Sequence, residues 1–91
     1  MDQRQQLALM DKIIRELDDL KSSQTAVLKK IAQIEADNIN LGVDLLNEAL
    51  PGIHEEVDAA VEKVSALVDQ FKEHRDTYEK ENQKFLAEPT I

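Results

Sequence analysis

Apolar residues recur by threes and fours along most of the chain. From Met10 they run Met10, Ile13, Leu17, Leu20, Val27, Ile31, Ile34, Leu41 and Leu45, with Gln24 and Asn38 standing in the same series. With Met10 as heptad position a, the a positions are Met10, Leu17, Gln24, Ile31, Asn38 and Leu45. The d positions are Ile13, Leu20, Val27, Ile34 and Leu41. About five heptads in one unbroken phase predict a long helix with a coiled-coil seam. Leu7, Ile14 and Leu28 fall at e and widen the stripe toward that of a bundle helix. Asp2 stands three residues before Gln5, the spacing of a capping box. Ser22-Ser23-Gln24-Thr25 is the weakest helical stretch, because its hydroxyls compete for backbone hydrogen bonds. The heptad phase is the same on both sides of it, which predicts continuity.

A second series comes next: Ile53, Val57, Ala60, Val64, Leu67, Phe71, His74, Tyr78 and Phe85, interrupted at Glu81 and widened by Val61 and Val68. Leu50-Pro51-Gly52 lies between the two series. Pro51 disfavours a helical Leu50, and Gly52 tolerates positive φ. The pattern therefore predicts a helix over about 3–49, a turn at 50–52, and a second helix over about 53–87. Pro89 ends that helix ahead of a frayed tail at 88–91. Gly42, beside Asn38 and Asn40, offers an alternative end for the first helix, with a short third helix at 43–49.

A tight turn between long helices makes them antiparallel neighbours. The expected fold is all-α, a single-domain antiparallel helical hairpin that associates into a helical bundle. Folding about 50–52 sets Leu45 level with Val57, Ile34 with Leu67, Ile31 with Phe71, Val27 with His74 and Leu17 with Phe85. Gln24 falls level with Tyr78, where a buried hydrogen bond is expected. Near the turn a second stripe, Ile39, Val43, Leu46 and Leu50, lies off this seam and calls for cover from another copy or from partner helices. On this reading Leu46→Asp disrupts association, and Ile34→Asp unfolds the hairpin.

Composition narrows the function classes. The 91 residues are 42% hydrophobic and 33% charged, with two glycines and two prolines, which suits a helical bundle. Cysteine is absent and aromatics are 3%, so the core is built from aliphatic side chains without disulfides or thiolate metal sites. A net charge of −8 opposes binding to nucleic-acid phosphates and to anionic membrane surfaces. No apolar run approaches the roughly 20 residues of a membrane span. The polar start, Met1 to Gln6, is unlike a signal peptide, so the default expectation is cytoplasmic, with export by a signal-less route left open.

The charge is unevenly placed. Between Lys30 and Lys63 there is no Lys or Arg, whereas Glu35, Asp37, Asp44, Glu48, Glu55, Glu56, Asp58 and Glu62 are acidic. Folded at 50–52, these gather at the turn, and Glu48, Glu55, Glu56 and Asp58 become candidates for meeting a basic partner. A solvated, solubilising face is the commoner role for such a run. Elsewhere opposite charges stand at helical spacing, as in Arg75–Glu79 and Lys72–Asp76.

Little in the chain suggests catalysis. His54-Glu55-Glu56-Val57-Asp58 has part of a zinc-helix spacing, but no third ligand is identifiable. No nucleophile elbow, phosphate-binding loop or calcium loop is present. No enzyme, metal or cofactor is expected. Gln24, Asn38, His74 and Tyr78 are the polar members of the seam. Asn38 and Gln24 either fix register and oligomer state or lie at a solvated edge. His74 reads as a packed polar residue able to make association pH-sensitive.

The outline is similar to the small helical-hairpin proteins of type VII secretion, which carry a Trp-x-Gly turn and a C-terminal tyrosine motif. Here the turn reads Leu50-Pro51-Gly52 without tryptophan, and Tyr78 is followed by Asn82 where an acidic residue is expected. The resemblance extends to the hairpin outline alone, which small coiled-coil subunits of larger machines share, virion components included. The expected function is a non-catalytic structural and interaction protein, a homo-oligomer or a member of a hetero-complex. The alternatives are an export partner or chaperone of a secretion system, and an acidic inhibitor mimicking nucleic acid.

Overall fold

The structure is a computed structural model that describes residues 1–87, the side chains of Phe85 and Ala87 excepted; the expected tail at 88–91 and the Leu17–Phe85 level lie outside it. Its elements are α1 (Gln3–Leu41), α2 (Asp44–Glu81) and a short α3 (Gln83–Ala87). The two long helices pack antiparallel into a hairpin measuring 70 × 18 × 17 Å.

The capping box forms as the spacing predicts. The Asp2 carboxylate accepts from the Gln5 N–H at 2.8 Å, and the Asp2 N–H donates to Gln5 Oε1 at 3.0 Å. α1 then runs unbroken through Ser22–Thr25. The Thr25 hydroxyl folds back to donate to the Lys21 carbonyl at 2.9 Å, a bond that leaves the helix intact.

The turn is not where Pro51 and Gly52 suggest. It lies at Gly42 and Val43, close to the alternative that Gly42 offered, but it leads into one long helix rather than a short third one. Gly42 adopts φ 71°, ψ 33°, the left-handed conformation that costs any residue with a Cβ roughly 1–2 kcal/mol. Its N–H donates to the Asn38 carbonyl at 2.6 Å, and Val43 is extended as the N-cap of α2.

α2 passes straight through Leu50, Pro51 and Gly52. The φ of proline is already helical, so Pro51 removes one backbone donor while the helix continues past it. Leu50, buried on one side of it, and His54, bonded to α1 on the other, hold the helix to its partner. The comparison of Leu50-Pro51-Gly52 with a Trp-x-Gly turn lapses accordingly. At the far end, α2 stops at Glu81. The Asn82 side chain donates to the Tyr78 carbonyl at 2.9 Å, and α3 begins at Gln83, so the helix expected to run continuously to Ala87 is broken once.

Relocating the turn changes every cross-helix pair. Asp11–Arg75, Gln6–Tyr78 and Glu35–His54 bonds fix the register. By that register Asn38, Ile31, Gln24 and Leu17 lie level with Leu50, Val57, Val64 and Phe71. Each partner is two heptads earlier than folding at 50–52 predicts, so the phase is kept while the neighbours change.

The faces change as well. In α2 the a positions are Leu50, Val57, Val64, Phe71 and Tyr78. Most of the buried or half-buried apolar side chains are at the a and e positions of both helices: Leu7, Ile14, Leu28 and Ile31 from α1, with Val57, Val61, Val64 and Val68 from α2 among them. The e residues that widened the stripe are therefore half of the seam, and most d residues are left out of it. A two-residue connection leaves α2 little freedom to roll about its axis, so the geometry at Gly42 and Val43 selects which pair of stripes meets.

Candidate interaction surface

The turn is closed by one side chain. Asn38, 3% exposed, accepts the Val43 N–H on Oδ1 at 3.0 Å and donates from Nδ2 to the Val43 carbonyl at 3.2 Å and to Asn47 Oδ1 at 2.9 Å. Val43 supplies no side-chain cap to α2, so Asn38 satisfies from across the turn a donor that a local cap leaves open. Buried and bonded in this way, Asn38 clasps the turn of the hairpin rather than lying at a solvated edge.

The other polar seam residues separate. Tyr78 does not meet Gln24. Its hydroxyl donates to Gln6 Oε1 at 2.6 Å, near the chain's start. Gln24 lies level with Val64, and its buried Oε1 has no hydrogen-bond partner. His74 leaves the seam altogether: it is exposed at a d position and stacks on Phe71, ring centroids 6.0 Å apart.

The second stripe expected near the turn is divided by the turn itself. Ile39, in the last turn of α1, is 81% exposed, Val43 sits in the connection, Leu46 is half-buried, and Leu50 at 8% belongs to the seam. Ile39, Leu46 and Leu50 still line a common open groove, together with Ala32, Ala36 and Pro51. Glu48, Glu55, Glu56 and Asp58 are exposed. With the turn at Gly42 they spread along the first half of α2 rather than clustering at its tip, and Lys30 comes level with Asp58. His54 is held by Glu35 across the seam and is not paired with Asp58. Among the described residues no three His, Cys, Asp or Glu side chains are placed to hold a metal ion. No helix among them is long and apolar enough to cross a membrane.

A different apolar surface is the dominant one. Leu20, Val27, Ile34, Ile53 and Leu67 are 39–50% exposed and Leu41 is 70% exposed. All but one of these were expected at the centre of the seam; Ile53 lay beside the expected turn. All are d positions. An antiparallel neighbour reverses the sense of the helical wheel, so d residues of α1 and α2 fall on the same side of an a/e seam. They form layers along the hairpin: Ile34 beside Ile53, Val27 beside Ala60, Leu20 beside Leu67. The result is one apolar face running from the turn to the Leu20–Leu67 layer, about 32 Å of a 70 Å molecule.

The opposite side, outside the groove at Ala32, Ala36, Ile39 and Pro51, is polar. Arg75 Nε donates to Asp11 Oδ1 at 2.7 Å, and its Nη1 pairs with Glu79 at 2.7 Å and with Asp76 at 3.1 Å. These bonds, Asp11 first and then Asp76, hold the guanidinium even more firmly protonated than usual. Lys72 reaches Asp18 at 3.9 Å rather than Asp76, while the Arg75–Glu79 pair forms as its spacing predicts. The two sides of the hairpin are therefore different surfaces, one ion-paired and one apolar.

Size scaling gives the apolar face its weight. A compact chain of 10.3 kDa exposes about 5,400 Å², whereas this one exposes 6901 Å². Its radius of gyration is 20.4 Å, against about 12 Å for a compact domain of this length. Comparison with known proteins adds no family: no family model, curated protein or solved structure matches the chain.

Proposed function

We propose that the chain is a non-catalytic assembly protein, a helical hairpin that joins other helices through its d face as a subunit of a larger helical complex. The observation that carries this reading is the row of exposed Leu20, Val27, Ile34, Leu41, Ile53 and Leu67 on a hairpin that buries only four of its described residues. Two helices enclose one seam; helical bundles become stable domains when a second layer covers the remaining stripe. Partner recognition on this reading is apolar and helical, with no nucleic acid, membrane insertion or cofactor involved.

Sedimentation of the purified chain across micromolar concentrations tests it. Association that weakens when Ile34→Asp is introduced is the expected result, with helical content retained. A fully folded monomer that melts cooperatively and is indifferent to Ile34→Asp contradicts the proposal.

A further inference from the structure

The occupant of the d face can be named from charge and symmetry. Between Lys30 and Lys63 the chain carries eight carboxylates and no Lys or Arg, while the rest carries eleven charges of each sign. Folded at Gly42, residues 31–57 make the turn end of the hairpin, with six carboxylates and no Lys or Arg. The remainder carries eleven cations and thirteen carboxylates, so six of the eight net negative charges sit at the turn end. With Ile13 included, the face runs about 42 Å from there to Leu41 at 1.5 Å per residue. Over the 18 Å width of the hairpin that is roughly 750 Å² per chain, close to the roughly 800 Å² per partner of a stable interface.

Resting on the assembly reading above, we propose that the d face is covered by a second copy of this chain, stacked face to face with its turn at the opposite end, as an antiparallel four-helix bundle. A two-fold axis through the Val27–Ala60 layer pairs Leu20 with Ile34 and Ile53 with Leu67 of the second copy, while Val27 and Ala60 each meet themselves. Every one of these contacts is apolar, and the two small residues lie at the axis where helices approach most closely. The interface is isologous, so each favourable pair occurs twice. Glu56 and Lys63, both exposed beside the face, come level with each other across the same axis. The parallel stack instead sets two acidic turn ends side by side, six carboxylates against six, with no Lys or Arg between Lys30 and Asp58 to offset them. Antiparallel stacking lays each acidic turn end over residues 13–23 and 63–76 of the other copy, where five cations face six carboxylates.

The absence of cysteine makes the test clean. Val27→Cys and Leu41→Cys are each made singly, checked by circular dichroism, and oxidised under native conditions while mass is followed by light scattering. The expected mass is twice 10.3 kDa. Val27→Cys is expected to form a disulfide-linked dimer at least ten times faster than Leu41→Cys, since only position 27 meets itself at the axis. A dimer in which Leu41→Cys links as fast as Val27→Cys overturns the antiparallel pairing and leaves the assembly reading standing. A molten or aggregated chain that orders only with other helices also overturns self-pairing but not assembly. A well-folded monomer overturns both.

Discussion

Asn38 is one side chain with three hydrogen bonds around a two-residue connection. Replacing it with Ala orphans the Val43 N–H and the Asn47 amide together, so Asn38→Ala is expected to cost about 2–3 kcal/mol in urea unfolding. Gly42→Ala carries a backbone penalty of roughly 1–2 kcal/mol, because nothing crowds its Cβ but its φ is 71°. Gln24 is the opposite case. Its buried Oε1 has no partner, so Gln24→Leu is expected to raise stability by about 1–2 kcal/mol, read as a higher urea midpoint at unchanged slope. A drop in midpoint indicates that the Gln24 carbonyl is satisfied in the assembled protein.

At the scale of the helices, Pro51 and Gly52 sit inside α2 on its exposed surface. Pro51→Ala restores a helical backbone bond and Gly52→Ala removes a flexible residue, and nothing lies within 4 Å of the added Cβ at position 52. The expected gains are up to about 3 and about 1 kcal/mol. Were the chain to turn at 50–52, both changes would destabilise it. The heptads made both helices legible, as did Asp2 and Gln5 for the first cap. They did not place the turn, because periodicity defines facing pairs only to within whole heptads. Gly42 and Pro51-Gly52 are both plausible breakers, and their seams share one phase. What separates them is Asn38, whose side chain reaches the far side of Gly42. Such a clasp depends on three-dimensional closure and leaves only an Asn–x–x–x–Gly spacing in the sequence.

At the scale of the molecule, the same ambiguity hid the interaction surface. An apolar stripe spanning d, a and e serves one neighbour through a/d or through a/e, and the pattern alone does not say which. The short connection selects a/e, and the d residues taken for core become the outer face. The expected effect of Ile34→Asp reverses as a result. Ile34→Asp is expected to spare the hairpin and abolish association, whereas Ile31→Asp places a charge at a site 7% exposed and unfolds it. Circular dichroism and sedimentation on the two variants separate these outcomes.

The position of the turn decides which residues form the outer face, and one distance measures it. Spin labels at Ser22 and Glu62, both exposed, are placed in protein diluted with unlabelled chain so that only the distance within one molecule is read. A hairpin turned at Gly42 brings these sites nearly level, about 20–25 Å apart across two helices. A hairpin turned at Pro51 separates them by about 35 Å, and an unbroken rod by about 60 Å. The short distance is the prediction; either longer one contradicts the account.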